Sequence, residues 1–192
     1  MPRIHPLARS ALPEFEPVFQ SMLNSIGYVP NSFYTMGRDP GILRAVGGLM
    51  DAFWYPDTVS ERVRRLVTYA YSRFAHSRYS AAHCACGAEE FGLSLEKIRA
   101  VESFETSDLF TDEENDLLRF CKNSAHMPSM THDDDIAALR RHFSEPQIVF
   151  IVGMIAMMAF LNKWNEIIKT DLEPLPLAWA NKNLPDLQVG GQ

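Results

Sequence analysis

Nucleophiles and proton carriers crowd into one stretch of the chain, Ser77-Arg78-Tyr79-Ser80-Ala81-Ala82-His83-Cys84-Ala85-Cys86-Gly87-Ala88-Glu89-Glu90-Phe91-Gly92. Helical from about Ser77, it sets Ser77, Ser80 and Cys84 on one face, because steps of three and four residues return near the same azimuth. Cys84 lies near a helix N-terminus, whose dipole favours a thiolate, and it is the candidate reactive group. His83 is the candidate proton carrier. Ser77 and Ser80 suit contacts to a substrate or the capping of the helix, and Tyr79 is counted with the substrate-binding residues. Arg65 offers a planar fork for a substrate carboxylate, or an ion pair with Glu61 one turn earlier.

The same residues limit the chemistry. Cys84 and Cys86 do not make a redox pair, since residues two apart on a helix are separated by about 200° of rotation. His76 and His83 stand two turns apart on one face. With Cys86 turned away they fall short of the three or four convergent ligands a metal needs, so neither a metal nor another cofactor is expected. A serine nucleophile needs an activating base held by a third group, and no such triad is legible.

Start and stop signals cut the chain into helices with short joints. An amphipathic segment runs from about Glu14 to Asn24 and stops at Gly27. Asp39 caps a helix whose first position is Pro40. Thr58-Val59-Ser60-Glu61 reads as a capping box. Behind it Val63, Leu66, Val67, Ala70, Tyr71 and Phe74 form an apolar stripe. Thr111 to Glu114 and Ser144 to Gln147 repeat the capping signature, and Thr131-His132 followed by three aspartates places negative charge at a helix start. Gly92 is the expected stop of the reactive segment, and Ser94 starts the next helix. Pro174 and Pro176 are expected to end the last long helix and leave an extended tail. Tyr28, Phe33, Tyr34, Trp54 and Tyr55 are aromatic core or pocket lining. Met154, Met157 and Met158 fill the core, and Cys121 is expected to be buried. The fold class is all-α, one domain over residues 1–192, with N-terminal helices (about 1–56) packing on the core.

At 192 residues, 46% hydrophobic and 22% charged, the chain can bury a globular core. A net charge of −6 disfavours nucleic acid as a partner. The most apolar stretch, Ile148 to Leu161, is 14 residues long, which suits a buried helix better than a bilayer span. Three cysteines do not make a secreted disulfide framework, and the N-terminal residues lack a signal-like apolar core. No membrane association is expected, and the cytoplasm is the expected compartment.

The chain resembles the alkylhydroperoxidase D-like, or carboxymuconolactone decarboxylase-like, superfamily, and in particular its peroxidase-related branch. The resemblance rests on Met1-Pro2-Arg3-Ile4, the loop Gly27-Tyr28-Val29-Pro30-Asn31, the Asp39-Pro40 helix start, the Ala88/Gly92 spacing, and the apolar helix after Ser144 that ends in Leu161-Asn162. It implies an alkylhydroperoxidase D-like helical bundle, homo-oligomers (trimer or hexamer) and a small-molecule substrate. The family's redox members use C-x-x-C-x-x-x-H with a glutamate upstream. Anchored on Ala88 and Gly92, the two cysteine positions fall on Ser77 and Ser80, the histidine position on Cys84 and the glutamate position on Arg65. The resemblance thus implies a peroxidase-related oxidoreductase without its cysteine pair, with a one-cysteine thiol peroxidase centred on Cys84 as one reading. A non-redox decarboxylase or lyase acting on a small carboxylic acid or lactone, with His83 as proton carrier, is another. A non-catalytic binding protein is the third.

Overall fold

The computed structural model describes residues 1–54 and 57–189, with the side chain of Trp54 outside the description; Tyr55 also lies outside it. Among the described residues ten α-helices follow one another: α1 (Glu16–Ile26), α2 (Asn31–Met36), α3 (Pro40–Trp54), α4 (Glu61–Phe74), α5 (Arg78–Ala85), α6 (Leu95–Ala100), α7 (Asp112–Ser124), α8 (Asp133–Leu139), α9 (Glu145–Ile168) and α10 (Pro174–Asn183). Short 3-10 turns join several of them, and no strand occurs among the described residues. The fold is an all-α bundle.

Most helix starts are where the side chains dictate. The Asp39 carboxylate accepts from the N–H groups of Gly41 and Ile42 at 2.9 and 3.2 Å. Thr111 and Glu114 exchange side-chain and backbone bonds in a capping box that opens α7. Gln147 accepts from the Ser144 N–H at 2.9 Å at the head of α9. Two expectations are corrected. Ser60, not Thr58, caps α4, its hydroxyl accepting from Val63 N–H at 3.3 Å. The tail expected to be extended is instead helix α10. Pro174 and Pro176 both fall in its first turn, where the absent N–H groups have no intrahelical acceptor to lose.

Helix α4 is the hub, packed against α5, α7 and α9. Its Leu66, Val67, Tyr69 and Ala70 are buried, and the Tyr69 hydroxyl donates to the Ile98 carbonyl at 2.9 Å. Ala81, Ala82 and Ala85 of α5 are fully buried, so small side chains let α5 lie close against its neighbours. Helix α9 extends well beyond the 14-residue apolar stretch. Its 24 residues are long and apolar enough, by length and composition, to cross a bilayer. Its inner face, however, is core: Ile151, Met154, Met157 and Met158 are buried beneath α3, α4 and α5. Met154 is fully buried, so Met154→Ala leaves a cavity beneath α4 and lowers stability by about 2–5 kcal/mol. Urea denaturation checks this; a change under about 0.5 kcal/mol, the surface range, contradicts a core role for that face.

Candidate active site

Helix α5 carries the chemistry-bearing residues, and its local sequence explains its shape. Ser77 is the N-cap, with extended backbone, and the helix stops at Ala85 because Cys86 turns extended and Gly87 takes φ = 80°, a conformation open to glycine at little cost. A 3-10 turn follows and ends at Gly92, also left-handed, as expected.

Two neighbouring faces of α5 meet different surroundings. On one, His83 is held from both sides. Its Nδ1 lies 3.0 Å from the Tyr28 hydroxyl, and its Nε2 bonds the Glu173 carboxylate. The Tyr79 ring lies 4.5 Å from the His83 ring, and its hydroxyl donates to Glu173 Oε1 at 2.8 Å. The Asn31 N–H donates to the same oxygen. Glu173 is 3% exposed. Burial alone would raise its pKa, but the bonds from His83, Asn31 and Tyr79 outweigh that and hold the carboxyl below the usual range, so it stays ionised. An ionised acceptor requires hydrogen on His83 Nε2; in the neutral ring Nδ1 is then the acceptor for Tyr28. Burial pushes the Tyr28 and Tyr79 hydroxyls up, so both are neutral donors at ordinary pH.

On the other face, Cys84 is partly exposed and looks toward α4; contrary to expectation it lies in the last turn of α5, not near its N-terminus, so the helix dipole does not favour a thiolate there. Burial of its sulfur pushes the thiol up; Thr68, the positive charge of Arg65 and Ser72 oppose the shift without reversing it. The Thr68 and Ser72 hydroxyls already donate to helix carbonyls, Arg64 at 2.9 Å and Thr68 at 2.8 Å. Ser72 reaches Asn162 Oδ1 on α9 at 3.4 Å. Ser77 and Ser80 are buried, and the Ser77 hydroxyl has no hydrogen-bond partner, so it does not cap the helix. Arg65 takes the ion-pair alternative: its Nε donates to Glu61 at 2.8 Å and its guanidinium lies over the Phe91 ring. Cys84, Cys86 and Cys121 are free thiols; burial raises Cys86, aided by Glu90, and pushes Cys121 up to about 12.

The structure therefore joins His83 to Tyr79, places Cys84 near Arg65, and forms no hydrogen bond between His83 and Cys84. Among the described residues no three His, Cys, Asp or Glu side chains gather to hold a metal ion. Glu173 was not legible as a site residue. Its only sequence signal is an acid directly before Pro174, at a helix start where negative charge is favoured. Tyr28 was legible only as a pocket aromatic.

Because Glu173 is ionised with its folded pKa depressed, the stability it confers is complete above its unfolded value of about 4.3 and is lost as pH falls through the lower folded value. Glu173→Ala therefore costs about 3 kcal/mol at neutral pH, leaving three donors without an acceptor. The gap from the parent chain, read by urea denaturation, narrows toward pH 2. A gap equally wide at pH 2 and pH 7 contradicts an ionised Glu173.

No family model and no curated protein match the chain. Solved structures do. A Cys-to-Ala variant of the debrominase Bmp8 in complex with 2,3,4-tribromopyrrole superimposes with a TM-score of 0.82 at 30% identity, over 94% of this chain and 96% of that one. The apo debrominase superimposes with the same TM-score and identity. An uncharacterized peroxidase-related protein from Ralstonia eutropha JMP134, described as an alkylhydroperoxidase AhpD core, matches with a TM-score of 0.80 at 18% identity over 90% of this chain and 93% of that one. A second peroxidase-related protein, from Silicibacter sp. TM1040, matches with a TM-score of 0.76 at 14% identity, over 88% of this chain and 90% of that one. With 30% identity over nearly its whole length, the chain belongs to the family of the debrominase Bmp8, and it has the alkylhydroperoxidase D-like fold.

Proposed function

We propose that this chain is a non-redox member of its superfamily, a decarboxylase or lyase that moves a proton on a small carboxylic acid or lactone. The observation that carries the reading is the chain Tyr28–His83–Glu173, a neutral phenol, an imidazole and an ionised carboxylate joined end to end. Glu173 is a positioning residue: it fixes the ring and its tautomer, as the third member of a triad does. A proton taken from substrate at the Tyr28 oxygen moves the phenol proton to His83 Nδ1, and the imidazolium then stands against the Glu173 charge. In reverse, the imidazolium supplies a proton through Tyr28 to the carbanion left by loss of carbon dioxide.

A second reading keeps the chemistry on Cys84, favoured by the Arg65 charge beside it and by its partial exposure. Here the thiolate attacks the peroxide oxygen, giving a sulfenic acid and an alcohol. An external thiol then reduces the sulfenic acid, forming a disulfide and water. One set of assays separates the two. With a panel of small keto acids and lactones, the first reading expects turnover that falls about 10²–10⁴-fold in His83→Ala and is unchanged in Cys84→Ala. Glu173→Gln, which keeps an acceptor, shifts the pH profile. Peroxide consumption with dithiothreitol that Cys84→Ala abolishes, without turnover on the panel, overturns it in favour of the thiol.

The expected homo-oligomer belongs to the same proposal. Val149, Val152, Phe160 and Ile167 form an exposed apolar stripe along the outer face of α9, at spacings that return to one side of the helix. A second copy is the occupant that the expected trimer or hexamer supplies. Light scattering is then expected to give three or six times 21.8 kDa, and Val152→Asp with Phe160→Asp to reduce it. A parent chain that runs as a monomer ends the idea.

A further inference from the structure

A cavity of about 610 Å³ opens where α5 begins and α9 ends, and Tyr79 forms part of its wall. That volume lies within the range of small-ligand sites, roughly 300–1,000 Å³. Three features set it apart from a surface dent. First, the only non-glycine residues with positive φ among those described, His76 (55°), Lys169 (54°) and Gln188 (48°), all line it. Strained backbone gathers at ligand sites because surrounding structure must enforce it. Second, buried polar atoms are left without partners there: Asn165 Oδ1, on a residue 4% exposed, and Thr170 Oγ1. Such groups cost free energy unless something bonds them. Third, the charges are divided. Arg78 stands at the first turn of α5, an end that no side chain caps, and forms no ion pair among the described residues. Glu166, also without an ion pair among the described residues, stands at the end of α9, whose last carbonyls carry the negative end of the helix dipole.

We propose that this cavity binds a small amino carboxylate. Its carboxylate is held by the Arg78 guanidinium at the uncapped start of α5. Its ammonium is held by Glu166 and Asn165 Oδ1 at the carbonyl end of α9. The apolar wall, including Leu177 and Val189, takes the side chain. A carboxylate alone leaves Asn165 Oδ1 without a donor, and an amine alone leaves Arg78 and the α5 N–H groups without an acceptor. Tyr79 lines the cavity and His83 does not. The inference holds whether or not the His83 chain is catalytic, because its test is equilibrium binding.

Calorimetry on the parent protein with neutral α-amino acids, the matching carboxylic acids and the matching amines reads it directly. Amino acids are expected to bind, and each singly functional analogue to bind about tenfold to hundredfold more weakly, the worth of one charge-assisted bond. Arg78→Ala, on an exposed residue, and Asn165→Ala are each expected to weaken binding by a similar factor while the circular dichroism melt shows a folded protein. Amino acids that do not bind, carboxylates that bind equally well, or affinity that survives Arg78→Ala each overturn the proposal.

Discussion

A carboxylate withdrawn from water must be surrounded by donors, and in this fold that requirement is met at Glu173 by groups from distant parts of the chain. The Asn31 N–H comes from the start of α2, and the Tyr79 hydroxyl and His83 Nε2 from α5, 142, 94 and 90 residues away in sequence. Tyr28 joins through His83. The single acid thus ties the N-terminal loop and the first residue before α10 to the central helix pair. Burying the charge without these bonds would raise its pKa and neutralise it instead. The arrangement therefore stands or falls as a unit: each donor orients the others, and a ring held at both nitrogens has no freedom to turn.

The rest of the bundle is arranged so that α5 can reach these partners. Ala81, Ala82 and Ala85 are fully buried and let α5 approach its neighbours closely, so Tyr79 and His83 project toward the C-terminal segment. Ser60, Asp39 and the Thr111–Glu114 box fix where the flanking helices begin. Helix α9 supplies the opposing wall. Its length matters, because its last turn carries Asn165 and Glu166 past the core to the start of α5.

What the sequence made legible follows from what is local. Caps, the apolar stripe of α4 and the left-handed stop at Gly92 are decided by residues within a few positions of one another, and they are found where the side chains predict them. Two local signals misled. Pro174 and Pro176 read as a stop, yet proline is as compatible with a first turn as with a break, and the segment after them is helical. Ser60 outcompeted Thr58 because only one residue can be the N-cap. Glu173 was hidden for a different reason. Its importance comes wholly from donors 90 to 142 residues away, and no spacing within the sequence reports a contact made across the fold. His83 and Tyr79 were visible as chemistry-bearing types, but their shared partner was not. Arg65 was visible with both of its alternatives, and Glu61 settles its position in favour of the ion pair.

The choice between a thiol and an imidazole as the reacting group comes down to one step along α5. Successive residues on a helix are rotated by about 100°, so His83 and Cys84 cannot share an environment. Cys84 faces α4, where the hydroxyl protons are committed to Arg64 and Thr68 carbonyls and burial keeps the sulfur neutral. His83 faces a carboxylate held ionised and a phenol held neutral. A thiol needs a neighbour that stabilises its anion, and the nearest cation, Arg65, is bonded to Glu61. An imidazole needs one nitrogen fixed and the other able to exchange a proton, and His83 has both. Under the proposed reading, the proton-handling group lies one residue and one face away from the thiol.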